Sequence, residues 1–212
     1  MQKRFFAGKI ISGLVGAAMF LSSCFSYEKA NLNSINEVNN SGLFGVPSQK
    51  ATFEEVVKGV EGPLEAHLTA NYFLTYIPED IGEERTRESV RENFEDRTGN
   101  CFDYATFVAG LIYDDGYSPF ILSLKGKNSE LHAVFLYLTE NGYGVAGEGY
   151  ISPTFHKTST IEKLIEIYNE RHSTDYDRYF VMDLDETYGH EAWFEGEGTL
   201  RPNRRNNYIR IE

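Results

Sequence analysis

The chain reads as an α+β domain in which helices come first and a mostly antiparallel sheet follows. Three observations point there. Apolar residues recur at helical spacing as far as Tyr113; from Pro119 onward, short apolar runs alternate with turn signals; and one further amphipathic segment interrupts those runs. With 212 residues, 41% of them hydrophobic and 25% charged, the chain suits one modest domain and is apolar enough to fold. Its formal charge of −12, from 20 Lys and Arg against 32 Asp and Glu, argues against a nonspecific nucleic-acid binder.

The elements follow in order. Residues 52–58 form a short helix through Phe53, Val56 and Val57. Residues 64–77 form a longer one, with Pro63 near its start, Pro78 at its stop, and Leu64, Leu68, Tyr72, Phe73 and Tyr76 as its apolar positions. The charged stretch 79–98 reads as a solvated face holding a helix around Arg87–Phe94. From Cys101 to Tyr113, Phe102, Ala105, Ala109 and Ile112 share one stripe, and Gly116 supplies the exit. Pro119–Leu124, Leu131–Leu138 and Tyr143–Ala146 are strands, the last two joined by the turn signal Asn141-Gly142. Ser159 caps a helix over Ile161–Tyr168, with Glu162 completing a capping box; Tyr179–Leu184 and Tyr208–Ile211 return to strand.

The N-terminus has a different logic. Lys3, Arg4 and Lys9 precede the apolar run Ile10–Leu21, which has the order of an export signal and is too short for a comfortable membrane span. It ends in Leu21-Ser22-Ser23-Cys24, which resembles the lipobox of bacterial lipoproteins. That resemblance implies a signal peptide at 1–23 and a lipidated Cys24. An Asn- and Ser-rich tether then runs to residue 50, followed by a domain at 51–212. It places the protein outside the cytoplasm, anchored to a bacterial membrane through lipid, without choosing inner from outer membrane. Removing 1–23 strips three cations and no acid, so the remaining 189 residues carry −15 rather than −12. It also leaves Cys101 with no second cysteine for an intrachain disulfide in an exported chain.

Gly99-Asn100-Cys101-Phe102-Asp103-Tyr104-Ala105, followed by Leu131-His132-Ala133-Val134, is the most informative constellation. A cysteine opening a helix has its thiolate favoured by exposed N–H groups and the helix dipole. A histidine entering a strand is held by its neighbours and can pair with that thiolate if the strand crosses the helix end. These residues, in this order, resemble the transglutaminase-like, papain-related superfamily over roughly residues 65–150, with weaker support to about 185.

The resemblance implies Cys101 as nucleophile and His132 as general base and acid. The implied chemistry is amide hydrolysis, or transfer of the acyl group to an amine, with no dissociable cofactor. Peptides or envelope proteins are the substrates that the location implies. The family's usual third member, an Asp or Asn on the next strand, is missing from Tyr143-Gly144-Val145-Ala146-Gly147-Glu148. Glu148 is the nearest carboxylate that could orient His132. The Cys101 backbone N–H is a candidate oxyanion donor, with Asn100 and Tyr104 as pocket neighbours. The opposing reading makes Cys101 a buried helix residue and His132 a satisfied sheet residue, in a noncatalytic binding or assembly module. The sequence sets no oligomeric state.

Other signals weigh less. Asp183-Leu184-Asp185-Glu186-Thr187 resembles the first motif of haloacid-dehalogenase-like phosphatases, but too little chain follows for that family's remaining parts, so it reads as an acidic strand exit. His156, His172 and His190 with Asp183 and Asp185 fit no tight metal-ligand spacing. Gly142, Gly144, Gly147 and Gly149 lack the lysine or dinucleotide pattern of a phosphate loop. Trp193 and Phe194 read as core cover, and the Arg201–Arg210 cluster offsets an acidic surface.

Overall fold

A computed structural model describes residues 48, 50–78, 88–140, 142–147, 150–151, 158–196 and 208–211, all within the unit Gly42–Glu212. The export segment, Cys24, most of the tether, Glu148 and His156 lie outside the described residues. Thr52 opens α1 (Phe53–Lys58) through a capping box with Glu55. In α2 (Gly62–Phe73), Pro63 sits in the first turn as expected.

The second helix stops earlier than its periodicity predicts. Leu74 is extended, and Thr75–Tyr76 forms β1, paired in parallel with β2 (Thr98–Gly99). Thr75 N–H donates to Arg97 O at 2.8 Å and Ile77 N–H to Gly99 O at 2.9 Å, so these backbone donors enter a sheet. Ile77 precedes Pro78, and a residue in that position disfavours the helical region. Within the charged stretch, α3 (Val90–Asp96) is opened by a Ser89–Glu92 capping box and closed by Arg97 at φ 60°. The Arg97 guanidinium lies 3.8 Å from the Phe94 ring centroid and 4.5 Å from that of Phe73, a cation–π clasp on the helix end.

Next comes α4 (Cys101–Leu111), in which every residue from Phe102 to Leu111 is buried. The expected single stripe is therefore too narrow: α2 and α3 pack on this helix as well as the sheet, and burial runs all round it. A Cβ on Gly110 would fall 2.6 Å from Val90 Cγ2, which shows how closely α3 crosses it.

The sheet contains β3 (Phe120–Gly126), β4 (Leu131–Thr139), β5 (Gly142–Gly147), β6 (Tyr150–Ile151), β7 (Tyr176–Asp183) and β8 (Ile209–Arg210). Their order is β6-β5-β4-β3-β7-β8, and each pairing is antiparallel. The α+β class expected from the sequence is the observed one. Alternation along β4 sends Ala133, Phe135 and Tyr137 into the core shared with α4. Val134 and Leu136 enter a second core under α5 (Ile161–His172), with Leu164, Ile165 and Tyr168.

Two boundaries are corrected on this side. The cap of α5 is Thr160, whose Oγ1 accepts from Lys163 N–H at 3.2 Å, and not Ser159. Glu162 does not close a box but accepts the Tyr179 hydroxyl. At the end of β7, Asp183 caps a short α6 (Leu184–Tyr188) by accepting from the Asp185 and Glu186 N–H groups. The acidic strand exit is thus a helix cap. Trp193, fully buried in the π-helical turn Glu191–Glu195, donates Nε1–H to Asp185 Oδ1 at 2.7 Å. No helix among the described residues is long and apolar enough to cross a membrane.

Candidate active site

Cys101 is the first residue of α4, and its surroundings are built to place it there. Asn100 Oδ1 accepts from Phe102 N–H at 2.8 Å and from Asp103 N–H at 3.2 Å, while Asp103 Oδ2 accepts from Asn100 N–H at 2.9 Å. This reciprocal box fixes the helix start. Tyr104, one turn along, donates its hydroxyl to Leu74 O at 2.5 Å and meets the edge of Tyr76 with centroids 6.1 Å apart. Of the two residues expected beside a pocket, Asn100 caps α4 and Tyr104 ties that helix to Leu74 and Tyr76. The Cys101 thiol is half-buried and not in a disulfide. Its place on the first turn of a buried helix favours the thiolate form.

His132 is the second residue of β4, paired with Leu124 of β3. It shares the phase of Val134 and packs toward α5, its ring 5.9 Å from Tyr168 and 6.1 Å from Tyr176, nearly parallel to the latter at 14°. Its Nε2 is buried without a hydrogen-bond partner. Burial, reinforced by the charge of His172, pushes the imidazole down to about 4. At neutral pH the ring is therefore in its neutral, basic form.

Tyr176 is what the two residues have in common. It begins β7 opposite Gly126, stacks on His132, and donates its hydroxyl to Glu130 Oε1 over 3.4 Å. Burial pushes this phenol up, as do the neighbouring charges of Glu130 and, more weakly, Cys101 and Tyr76. Neither Tyr176 nor Glu130 stood out in the sequence. The pointer to Tyr176 is the pairing of β3 with both β4 and β7, which one-dimensional spacing does not show.

A second residue missed in the sequence is His67, buried on α2. It is hydrogen-bonded to the Gly147 backbone, and its Nδ1 lies 3.2 Å from Asn71 Nδ2. Burial pushes this imidazole down to about 4. Its only sequence signal is a polar side chain inside an apolar helical pattern. Gly147 itself lies close against β4, since a Cβ there would be 3.1 Å from Val134 Cγ1. Glu148, the next residue, lies outside the described residues. Among the described residues no three His, Cys, Asp or Glu side chains converge as a metal site would require.

A family model described as a transglutaminase-like domain matches residues 15–147. Among solved structures, the chain is similar to Legionella pneumophila LapG, with a TM-score of 0.46 and 12% identity, covering 78% of this chain and 97% of that one. No curated protein matches the sequence.

Proposed function

Because this chain belongs to the family of the transglutaminase-like domain, we propose that it is a cysteine-dependent amide hydrolase or acyl transferase acting on peptides or proteins. Cys101 is the nucleophile and His132 the general base and acid. The observation that carries the reading is Cys101 itself: a half-buried thiol on the first turn of a helix whose start is fixed by the Asn100–Asp103 box.

The neutral imidazole takes the thiol proton as Cys101 Sγ bonds to the amide carbon, and the carbonyl electron pair moves onto oxygen. The Cys101 backbone N–H, at the positive end of α4, is the donor for that oxyanion. Collapse breaks the carbon–nitrogen bond, His132 returns the proton to the leaving amine, and a thioester remains. Water or a second amine, deprotonated by His132, then releases the acyl group. Catalytic hydrogen bonds are commonly loose in a free site and tighten around substrate. The buried His132 Nε2, which has no hydrogen-bond partner, favours a second reading, a noncatalytic binding module on this fold.

Alkylation of the full-length chain by iodoacetamide, followed at the Cys101 peptide between about pH 5 and 9, separates the two readings. A catalytic pair predicts that His132→Ala slows labelling by about tenfold at neutral pH. Equal, free-thiol-like rates would leave the binding module. The cations Lys3, Arg4 and Lys9, the apolar run and Ser22-Ser23-Cys24 further support membrane anchoring through a lipidated Cys24. Mass analysis of the membrane-extracted N-terminus should find a diacylglyceryl-modified Cys24, and an unmodified Met1 terminus would oppose it.

A further inference from the structure

A histidine that works as a base needs a fixed ring plane, and in this chain no described carboxylate touches the His132 imidazole. Aromatic rings surround it instead. Tyr176 lies nearly parallel to it, with centroids 6.1 Å apart at 14°. Tyr168 closes from α5 at 5.9 Å and 41°. Tyr176 and Tyr168 also pack on each other at 6.0 Å, and Tyr168 stacks on His172 at 4.5 Å, so the arrangement is one continuous cluster. The Tyr176 hydroxyl is tethered to Glu130, which stands two positions before His132 at the start of β4. Ring and tether therefore act on the same short segment of chain.

Building on the catalytic reading of Cys101 and His132, we propose that Tyr176 is the positioning residue for His132. Its ring sets the imidazole plane, and its bond to Glu130 fixes the turn from which His132 enters β4. The aromatic face suits both forms of the ring that the reaction needs. It packs against the neutral imidazole in the free site, and its negative quadrupole steadies the imidazolium formed when the thiol proton is taken. Tyr176 acts through His132 and neither gives nor takes a proton. Four titratable neighbours face the stack and accompany its chemistry: Glu130 from the β3–β4 turn, Cys101 from α4, Tyr76 from β1 and His172 from α5.

Two measurements on the full-length chain test this. In the first, NMR of the His132 ring should show upfield ring-current shifts in the wild type, retained in Tyr176→Phe and lost in Tyr176→Leu. Coil-like His132 shifts in the wild type would overturn the proposal without any variant needing to fold. In the second, iodoacetamide labelling of Cys101 should slow by about tenfold or more in Tyr176→Leu and by much less in Tyr176→Phe. It should slow no further when Tyr176→Leu is added to His132→Ala. Equal slowing in both backgrounds would make Tyr176 a general packing residue and overturn the proposal. So would a loss confined to Glu148→Gln with Tyr176→Leu at wild-type rate, which would give the orienting role to a carboxylate. If His132→Ala labels as fast as wild type while the ring-current shifts are present, the catalytic reading fails and the stacking stands.

Discussion

Asn100 and Asp103 hold each other across the start of the helix that carries Cys101. The Asp103 carboxylate accepts the Asn100 N–H at 2.9 Å, and the Asn100 side-chain Oδ1 accepts the Asp103 N–H at 3.2 Å. Both residues are buried, so water does not replace either bond when it is lost. Asp103→Ala should destabilise the fold by about 1–2 kcal/mol, and Asn100→Ala by a similar amount. The double variant should cost less than the sum, because each single change already opens the box. Urea unfolding at constant m checks both magnitude and non-additivity. Additive losses would mean that the two bonds act separately.

Gly99 precedes the Cys101 helix and Gly110 lies in its last turn, and the two predict different phenotypes. A Cβ on Gly99 would sit 2.7 Å from Asp103 Cβ, so Gly99→Ala pushes directly on the box beneath Cys101. A Cβ on Gly110 would meet Val90 Cγ2 at 2.6 Å, near the far end of α4. Each substitution should cost about 1–3 kcal/mol by overpacking. Only Gly99→Ala should also change the rate at which iodoacetamide labels Cys101 under conditions where both variants are folded. Equal effects on the thiol would remove the special link between Gly99 and the site.

Much of this fold was legible because local chemistry and tertiary packing agree. The Cys101 helix begins at the residue where the spacing places it, since Asn100 and Asp103 supply a complete cap within three residues. The hairpin of β4 and β5 was legible from its turn, where Gly142 takes φ +108°. What spacing did not show is non-local. Tyr72, Phe73 and Tyr76 continue a helical pattern, yet Tyr76 leaves the helix because strand partners at Thr98–Gly99 compete for its neighbours' backbone groups. Thr160 and Ser159 are both competent caps, and only the geometry of α5 chooses between them. Cys101 and His132 stood out because their residue types carry chemistry. Tyr176, 44 residues beyond His132, joins them through the register of β3 with β7.

Asp185 serves structure, and its removal should show this. Its Oδ1 accepts from Trp193 Nε1–H at 2.7 Å and its Oδ2 from the Tyr113 hydroxyl at 2.9 Å, the latter helping to push the phenol up. Asp185→Ala leaves the indole donor of a fully buried Trp193 without its acceptor, at a cost of about 1–3 kcal/mol. Asp185→Asn keeps an acceptor oxygen for Trp193 and should recover most of that loss. Thermal unfolding with Trp193 fluorescence as the probe reads both. An unchanged midpoint in Asp185→Ala would refute the structural assignment.

His67 gives the fold a defined weakness toward acid. Its folded-state value of about 4 lies below the ordinary 6.5 because the ring is buried. As pH falls, the unfolded chain takes up this proton first, so the unfolded state is favoured progressively. The associated stability is full above pH 6.5, drains away between 6.5 and 4, and loses nothing further below 4. That window corresponds to about 3 kcal/mol for one such group. His132, also pushed down to about 4 by burial and His172, acts in the same direction over the same window. His67→Gln keeps a side-chain amide where the imidazole bonds the Gly147 backbone and Asn71, and removes the titration. Urea unfolding at pH 7 and pH 4.5 should therefore show an acid-induced loss smaller in His67→Gln than in wild type by about 2–3 kcal/mol. The variant should be somewhat less stable than wild type at pH 7, where the native contacts of His67 are intact. An unchanged acid loss would mean that His67 is protonated in the folded chain, contrary to its burial.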